Sequence, residues 1–323
     1  MQDTASIKEL VSGDFIAVDQ LIHEQLATNV PLIRTVCLHI IDSGGKRLRP
    51  LLVLLIANAF GKLNPEHIKV ATIIEFIHTA TLLHDDVVDS SALRRGDLTA
   101  NEKWGNSTSI LVGDFLITRA FQLIAGIENR LVMQILAATT NQIAEGEVKQ
   151  LINRNNADLS EADYFDVIRD KTAMLFQAAA EMTATLCQRS EIQYEAIGRY
   201  AISLGIAFQL VDDALDYIGD SDTLGKNTGD DLADGKATLP LIYAMQHADS
   251  QDKALIHSAI ENNSREHLDA IIATIAKTNA VQYTLDKAKQ HAMIAIAELE
   301  HLPPSRYRDG LAALAKFSIS RCS

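Results

Sequence analysis

The sequence contains few prolines, few aromatic residues and few cysteines. Only 6 of its 323 residues are proline and 5% are aromatic, whereas 47% are hydrophobic. This balance favours helices built from Leu, Ile and Ala over a β-sheet protein, because strands are enriched in aromatic and β-branched residues. Cys37, Cys187 and Cys322 are far apart and form no CxxC motif. They indicate reduced thiols in a cytosolic protein, not a disulfide framework or a zinc site.

The sequence also lacks an excess of positive charge and a long apolar segment. Its 29 Lys and Arg against 42 Asp and Glu give a net charge of −13, which argues against nucleic acid as a partner. An anionic substrate is compatible with this charge, because a bound divalent cation inverts the local field. The longest uninterrupted apolar run, residues 51–57, is far shorter than a membrane span. Since the first residues do not resemble a signal peptide, we predict a cytoplasmic protein with at most peripheral membrane contact.

Two motifs of the form Asp-Asp-x-x-Asp are the main chemical signal. They occupy residues 85–89 and 212–216, and each follows a largely apolar stretch with helical periodicity. Residues i, i+1 and i+4 share roughly one face of a helix, so we expect the carboxylates of each motif to lie close together. The aspartates concerned are Asp85, Asp86, Asp89, Asp212, Asp213 and Asp216.

Crowded carboxylates repel one another unless a positive charge lies between them. Oxygen ligands of this kind suit Mg²⁺, which takes one or two carboxylates and shares its remaining positions with water and phosphates. A single motif is equally typical of a solvated acidic surface. Two motifs at the ends of buried helices indicate that both face one cavity, because buried charges must be paired or bound to metal. The sequence therefore predicts a Mg²⁺-dependent diphosphate site.

Positive side chains that suit phosphate binding occur in four places. The turn GGKRLRP at residues 44–50 places cations at a helix N-terminus, where free N–H groups also bind anions. Two arginines follow the first aspartate motif, and the arginine fork is well shaped for phosphate. Lys171-Thr172 stands in an apolar stretch, and the loop at residues 219–240 carries two lysines. The alternative interpretations are a basic surface turn, a solvated loop and a snorkelling lysine.

The loop at residues 219–240 resembles two common motifs and matches neither. A P-loop is excluded because five residues instead of four separate the glycines, and neither lysine is followed by Ser or Thr. An EF-hand that begins at Asp220 is excluded because Leu224 cannot ligate calcium and Asp231 replaces the longer Glu. We interpret the segment as a flexible loop that closes over phosphates.

No linker rich in Gly, Pro or Ser and no tract of charge marks a domain boundary in the sequence. The aspartate motif is the only repeated pattern. We therefore predict an all-α protein in which residues 1–323 form one helical-bundle domain of about a dozen helices around a central cavity.

These motifs resemble those of the trans-polyprenyl diphosphate synthases. The matching segments, in the family's order and spacing, are GGKRLRP at 44–50, HTATLLHDDVVDSSALRRG at 78–96, KT at 171–172, FQLVDDALD at 208–216 and LGKNTGDDLADGKATLP at 224–240. The resemblance implies the isoprenoid synthase fold, a homodimer, and Mg²⁺-dependent condensation of isopentenyl diphosphate with an allylic diphosphate such as farnesyl diphosphate. In that reaction the allylic substrate ionises to a carbocation, the double bond of isopentenyl diphosphate attacks it, and a proton is lost.

The resemblance also implies a role for each matching residue. The ligands of Mg²⁺ would be Asp85, Asp89 and Asp212, with Asp86, Asp213 and Asp216 nearby or acting through water. The residues that bind the allylic diphosphate would be Lys171, Lys226, Lys236 and Arg94, of which Lys171 and Lys226 would also be catalytic. Isopentenyl diphosphate would be bound by Lys46, Arg49, His78 and Arg95, while Thr172 and Gln209 would line the site.

Product length is expected to depend on Ala80 and Thr81. These residues lie about one helical turn below Asp85, where short-chain members of the family carry a bulky aromatic side chain. Small side chains leave the path of the growing chain open, so we predict a long product. The overall resemblance implies an octaprenyl product for a quinone such as ubiquinone, with nonaprenyl, decaprenyl or shorter products as alternatives. Two other interpretations are a terpene cyclase and a non-catalytic partner subunit. A terpene cyclase typically has a different second motif, and a partner subunit usually lacks one aspartate motif, whereas both motifs are intact here.

Overall fold

The computed structural model describes residues 4–218 and 228–320. Most of these residues are helical, which confirms the predicted all-α class. Twelve of the described helices are ten or more residues long, in agreement with the predicted number. Lys226, together with the rest of residues 219–227, and Cys322 lie outside the described residues.

The described helices are numbered in chain order. They are α1 (Thr4–Glu9), α2 (Ser12–Gln25), α3 (Pro31–Asp42), α4 (Leu48–Ala59), α5 (Pro65–Val88), α6 (Ala100–Trp104), α7 (Asn106–Ala125), α8 (Arg130–Ile152), α9 (Glu161–Ile168), α10 (Met174–Leu186), α11 (Glu191–Ile218), α12 (Asp230–Ala233), α13 (Leu239–His247), α14 (Ser250–Glu261), α15 (Leu268–Lys277), α16 (Ala280–Glu298) and α17 (Arg306–Ile319). A π-helical turn (Arg169–Ala173) joins α9 to α10, and a 3₁₀ turn (Leu299–His301) follows α16.

Helix α4 is buried on every side. All seven side chains from residue 51 to residue 57 have no solvent exposure, as expected for a helix that is apolar all round. Helices α5, α10 and α17 pack around it. Because α4 begins directly after the turn at residues 44–47, its burial fixes the position of that basic turn.

Helix α5 begins at a well-defined N-cap. The side chain of Asn64 accepts hydrogen bonds from the backbone N–H groups of Glu66 and His67, at 3.0 Å and 3.4 Å. The ring of His67 accepts in return from the backbone N–H of Asn64 at 3.1 Å, which completes a capping box. Pro65 occupies the first helical position, where its missing N–H costs no hydrogen bond. The first aspartate motif thus ends a rigid helix that starts at a fixed point.

Two hydrophobic clusters form the core. One includes most of α4, α5 and α10, and the other lies among α9, α13, α14, α15 and α16. Helix α11 contributes Tyr200 and Leu204 to the first cluster, and Leu210 and Val211 to the second. The second aspartate motif therefore sits on a helix that is held by both clusters.

Two local irregularities differ from the predicted pattern, and both carry predicted site residues. The apolar stretch that carries Lys171 and Thr172 is not one regular α-helix, because both residues stand in the π-helical turn. Such turns insert an extra residue into a helix and occur often at functional sites. The expected loop after the first motif is a hairpin of β1 (Leu93–Arg94) and β2 (Asp97–Leu98). Its turn residues, Arg95 and Gly96, both have positive φ, as tight hairpins require.

One described helix, α7, has the length and apolar composition of a membrane span. Only 33% of its most apolar window is buried. Its middle carries Asp114, which lies 3.5 Å from the ring of His84 on α5. Gly113 allows this approach, because a Cβ atom there would come within 2.3 Å of the same ring. Helix α7 thus packs along α5 on one side and leaves an apolar face exposed on the other.

Candidate active site

A single large cavity of about 1090 Å³ brings the sequence motifs together. The predicted site residues on its wall are Lys46, Arg49, His78, Thr81, Asp85, Asp89, Arg94, Arg95, Lys171, Thr172, Gln209, Asp212, Asp213, Asp216 and Lys236. Among the predicted residues that the structure describes, only Ala80 and Asp86 lie off this wall. The expected cavity that both aspartate motifs share is therefore present.

One face of α5 follows the cavity along its length. The residues on this face recur every three or four positions, which keeps them on one side of a helix, and they are Glu75, His78, Leu82, Asp85 and Asp89. Ten residues separate Glu75 from Asp85, so about 15 Å of helix lies between them. The cavity thus has two ends, and they differ in charge.

The first is the carboxylate end, formed by Asp85, Asp89 and the second motif at residues 212–216. Asp85 is in contact with Lys171, whose Nζ lies 3.4 Å from its Oδ1. The same ammonium group donates to Glu147 Oε2 and to Gln150 Oε1, both at 2.7 Å. Burial, together with the negative charge of Asp85, raises the pKa of Glu147. The ammonium group of Lys171 therefore lies between two carboxylates, Asp85 and Glu147, on the wall of the cavity.

Asp86 differs from its neighbours in the first motif. It is 1% exposed, and its carboxylate accepts three hydrogen bonds from the guanidinium of Arg94, at 2.7 to 3.1 Å. This two-oxygen contact is the strongest kind of ion pair that arginine forms. Asp86 thus anchors the hairpin that carries Arg94 to the end of α5, and its carboxylate does not share the cavity face of Asp85.

Asp89 has a cation on each of its two oxygens. Lys236 Nζ lies 2.8 Å from Oδ2, and Arg154 donates to Oδ1. Burial opposes the ionisation of Asp89, but the charges of Lys236, Lys171 and Arg154 outweigh it and lower its pKa. Asp89 is therefore ionised, and it shares Lys236 with Asp234, which lies 2.9 Å from the same Nζ.

The second motif is tied into a chain of hydrogen bonds. Asp213 is 3% exposed and accepts from the hydroxyl of Tyr164 and, at 2.8 Å, from Gln209 Nε2. Gln209 Oε1 in turn accepts from the Thr172 hydroxyl at 2.9 Å. Burial, with the nearby charge of Asp231, raises the pKa of Asp213. Asp213 thus supports its neighbour Asp212, which lies half-buried on the cavity wall.

Asp216 holds the chain that follows the glycine-rich loop. Its carboxylate accepts hydrogen bonds from the backbone N–H groups of Asp230 and Asp231, at 3.2 Å and 3.3 Å. Arg265 donates to the Asp230 carboxylate and, at 3.3 Å, to the Gly229 carbonyl. These contacts fix the start of α12, from which the chain returns to the cavity at Lys236.

The second end is the cation end, formed by Lys46, Arg47, Arg49 and Arg95 with Glu75 and His78. The Arg49 guanidinium lies 4.3 Å from the ring centre of Phe176, and its Nε is buried without a hydrogen-bond partner. Burial lowers the pKa of Arg49 to about 10, so the group stays charged near neutral pH. Burial and the charges of Arg49 and Arg95 lower the pKa of His78 well below its ordinary value. His78 is therefore a neutral neighbour of the arginines.

Glu75 is the carboxylate of this second end. It is 7% exposed, and its Oε2 is buried without a hydrogen-bond partner. Burial raises its pKa, while the charges of Arg47, Arg49 and Arg95 oppose that shift. Glu75 therefore places negative charge near the three arginines, while the ion-pair partner of Arg47 is Asp19.

The turns at this end require glycine at one position in particular. Gly45 has φ +145°, and a Cβ atom there would lie 2.7 to 2.9 Å from the Arg95 guanidinium. Arg47 and Arg95 themselves have φ of 46° and 55°, a left-handed conformation that is unfavourable for arginine. The hairpin and the turn before α4 therefore meet at Gly45, where the arginine lies directly against backbone.

The residues predicted to govern product length lie in different surroundings. Thr81 is half-buried on the cavity wall, and its hydroxyl donates to the His78 carbonyl at 2.8 Å. Ala80 has no solvent exposure and belongs to the hydrophobic core beneath the wall. The two residues thus mark the wall and the layer directly under it.

Several residues of the site were not among the predicted ones, including Arg47 in the basic turn and the three that follow. Glu75 shares the periodicity of His78 and Asp85, so the spacing of polar residues on α5 identifies it. No local motif marks Glu147, which depends on α8 passing the π-helical turn. Arg154 meets Asp89 from 65 residues away, and nothing in the sequence pairs them.

The comparisons with known proteins agree with this geometry. The sequence profile of one family, Polyprenyl synthetase, matches residues 30–276. The octaprenyl diphosphate synthase of Haemophilus influenzae is 47% identical over 324 residues, which is 99% of this chain and 98% of that protein. The all-trans-nonaprenyl-diphosphate synthase (geranyl-diphosphate specific) of Rhodobacter capsulatus is 45% identical over 312 residues, or 96% of each protein.

A solved structure shows the same similarity in three dimensions. It is a polyprenyl synthase from Caulobacter crescentus in complex with calcium and isoprenyl diphosphate, with a TM-score of 0.95 and 41% identity. The match covers 99% of this chain and 98% of that one. The fold that the sequence motifs imply is therefore confirmed.

Proposed function

The chain belongs to the polyprenyl synthetase family, and on that premise we propose that it condenses isopentenyl diphosphate repeatedly with an allylic diphosphate, such as farnesyl diphosphate, to give octaprenyl diphosphate. It is a prenyltransferase with the isoprenoid synthase fold. One observation carries the proposal: both aspartate motifs and the basic residues of the other motifs line the same cavity.

Mg²⁺ is the metal that we propose for the carboxylate end. Asp85, Asp89 and Asp212 offer carboxylate oxygens to one cavity, and these are the hard donors that Mg²⁺ prefers. No group of three or more carboxylate, imidazole or thiol side chains converges as a metal site within the described residues. Lysine and arginine side chains instead neutralise Asp85 and Asp89, which fits positions built for positive charge. When bound, Mg²⁺ offsets the negative charge that develops on the leaving diphosphate.

The lysines of the carboxylate end would bind the allylic diphosphate. Lys171 and Lys236 both line the cavity, where they contact Asp85 and Asp89. Loss of diphosphate is the difficult step, so cations fixed beside the leaving group lower its barrier as charge develops. Arg94 adds positive charge from the cavity wall while its guanidinium holds Asp86. Lys226, which lies outside the described residues, stays a prediction in the same role.

The cation end would bind isopentenyl diphosphate without metal. Lys46, Arg49 and Arg95 present positive charge there, and neutral His78 can donate a hydrogen bond. The separation of about 15 Å along α5 lets the two diphosphates lie apart while the reacting carbons meet between them. Phe176 and Phe208, with ring centres 6.3 Å apart, give this middle region an apolar wall.

A long product agrees with the small side chains at Ala80 and Thr81, which put no bulky group below Asp85. The octaprenyl length rests on the similarity to octaprenyl diphosphate synthases. Nonaprenyl, decaprenyl and shorter products are the alternatives, and a nonaprenyl relative of comparable identity favours the first of them. A non-catalytic partner subunit is disfavoured because both aspartate motifs are intact.

We further propose a cytoplasmic homodimer in which residues 1–323 form one domain. Helix α11 belongs to both core clusters, which supports a single domain. The side chains that support a dimer face are the exposed apolar residues of α7 and α8, namely Ile110, Leu111, Leu131, Val148, Leu151 and Ile152. The product would supply the side chain of a quinone such as ubiquinone, with at most peripheral membrane contact during its release.

The test is a condensation assay with purified protein. It is incubated with Mg²⁺, farnesyl diphosphate and labelled isopentenyl diphosphate, and the products are separated by chain length. We expect one octaprenyl product that disappears in the Asp85→Ala variant and on addition of EDTA. A product of another length would correct only the proposed chain length. If the folded protein formed no condensation product, the proposed activity would be contradicted.

A further inference from the structure

Arg154 has an unusual set of contacts at the carboxylate end. It follows the end of α8 by two residues and lies on the cavity wall with its side chain 25% exposed. Its Nη2 donates to the carboxylate of Asp89, and its Nη1 lies 3.4 Å from the Val88 carbonyl. Its Nε is buried without a hydrogen-bond partner.

We propose that Arg154 is a further substrate-binding residue, which contacts Asp89 in this structure and binds the allylic diphosphate when that substrate is present. The inference rests on the proposed function, because it takes the carboxylate end as the allylic diphosphate site. It assigns to Arg154 a role that the sequence motifs gave only to lysines and to Arg94.

The balance of charge at Asp89 supports this exchange. Lys236 binds one carboxylate oxygen of Asp89 at 2.8 Å but also binds Asp234 at 2.9 Å, whereas Arg154, among the described residues, forms its ion pair with Asp89 alone. A carboxylate that binds a divalent cation cannot keep both basic side chains, since like charges at this separation repel strongly. A diphosphate brings a new anionic partner for Arg154 to the same place. Arg154 can then move from carboxylate to phosphate without leaving the cavity wall.

The orientation of the guanidinium supports a phosphate as the second partner. Nε–H and one N–H of an Nη group lie on the same edge of the arginine fork and bind two oxygens of one anion. Asp89 accepts a hydrogen bond from Nη2 of Arg154 only, and Nε of Arg154 has no hydrogen-bond partner. Buried N–H groups are nearly always paired. A phosphate group on this edge would satisfy both donors, which Asp89 alone does not.

A purely structural role makes a different prediction. Arg154 also connects the end of α8 to the last carbonyl groups of α5 through the Val88 contact. If that connection were its purpose, removal of the side chain would lower thermal stability and leave ligand binding unchanged. The two roles are therefore separable by measurement.

The experiment uses the full-length variants Arg154→Gln and Arg154→Lys. Calorimetric titration with Mg²⁺ alone is expected to show severalfold tighter binding to Arg154→Gln, because a competing cation has been removed from Asp89. With Mg²⁺ present, inorganic diphosphate should bind about tenfold more weakly, as expected for loss of a hydrogen bond to a charged group. The KM for farnesyl diphosphate should rise similarly, and that for isopentenyl diphosphate should stay unchanged. Arg154→Lys keeps the positive charge but not the two-donor edge of the guanidinium, so its affinities and KM should lie between those of wild type and Arg154→Gln.

Arg199→Gln is the matched control, since Arg199 forms its ion pair with Glu298 on the outer surface. It should behave as wild type in every ligand titration. Unchanged Mg²⁺ and diphosphate affinities in Arg154→Gln, with or without a lower melting temperature, would overturn the proposal. Wild-type protein that binds Mg²⁺ and inorganic diphosphate without forming product would contradict the condensation reaction instead, and the binding titrations would still decide the role of Arg154.

Discussion

The two ends of the cavity treat charge in opposite ways. At the carboxylate end, Asp85 and Asp89 are each bound to lysine, and Asp89 to Arg154 as well. At the cation end, several basic side chains surround one buried carboxylate, Glu75, whose Oε2 has no hydrogen-bond partner. At the carboxylate end, the basic side chains form ion pairs with aspartates. At the cation end, basic side chains outnumber carboxylates.

This difference indicates two ways of binding a diphosphate. The carboxylate end must exchange partners when ligands arrive, because its cations are occupied. The cation end is preformed, since Arg49 lies against Phe176, Arg95 lies against Gly45 and Arg47 is paired with Asp19. Substrate that must lose its diphosphate would then bind where charge can rearrange, and substrate that keeps its diphosphate would bind where charge is fixed.

The largest effect is expected at the carboxylate end, from Asp212→Asn. Loss of a negative oxygen ligand should lower kcat by about a hundredfold to a thousandfold, the size typical for removal of one electrostatic stabilising group. Initial rates at saturating Mg²⁺ and both diphosphates measure this effect. Asp166→Asn is the control, because Asp166 pairs with Arg169 away from the cavity and its side chain is 54% exposed. A variant with nearly normal kcat would remove Asp212 from the reaction.

A smaller and more selective effect is expected at the cation end, from Arg49→Gln. The KM for isopentenyl diphosphate should rise about tenfold to a hundredfold, as for loss of charged hydrogen bonds, while the KM for farnesyl diphosphate and the Mg²⁺ dependence change little. Steady-state kinetics with each substrate varied in turn measure the split. Equal increases in both KM values would contradict the division of the cavity into two separate sites.

Gly45→Ala tests whether the cation end is preformed. Its methyl group would collide with the Arg95 guanidinium, which lies within 2.9 Å of the Cβ position. We expect the KM for isopentenyl diphosphate to rise about tenfold, because displaced Arg95 loses its charged hydrogen bonds. Gly44→Ala is the matched control, since Gly44 has φ +88° but open space around its Cβ position. If the two variants lose affinity equally, backbone strain accounts for the effect and the Arg95 contact does not.

The sequence predicted the secondary structure and the shared cavity because both depend on local patterns. Apolar periodicity defined the helices, and the aspartates came at helix ends. Short-range geometry was harder to predict. Asp86 was expected on the same face as Asp85, yet it is buried with Arg94 because the hairpin returns across the end of α5. A two-residue hairpin leaves little periodic signal in the sequence.

Contacts between distant segments that no repeated motif marks could not be predicted from the sequence. Glu147 meets Lys171 because α8 passes the π-helical turn, and that turn interrupts a stretch whose pattern is uniformly helical. Arg154 meets Asp89 only after α5 and α8 have packed. The sequence around each of these side chains predicts an ordinary surface charge, so its role appears only when the tertiary structure is known.

The smallest effect concerns the pH dependence of stability, for which the two ends should respond differently. Burial raises the pKa of Glu75, so the wild-type protein gains stability as pH falls through that pKa towards about 4.5. Glu75→Gln resembles the protonated form at every pH and cannot make this gain. Its melting temperature relative to wild type should therefore be highest at pH 8 and fall towards pH 5. Each unit of pKa shift corresponds to about 1.4 kcal/mol.

Asp89→Asn is the counterpart at the carboxylate end. Its neighbouring cations lower the pKa of Asp89 below the ordinary 3.8, so the carboxylate is ionised in both folded and unfolded protein between pH 8 and pH 5. The stability that these ion pairs contribute is lost only as pH falls further, through the lowered pKa. The variant should thus be less stable than wild type by a constant amount over this range. Melting curves in EDTA test both variants, and a flat difference for Glu75→Gln would show that the arginines, and not burial, determine the charge of Glu75.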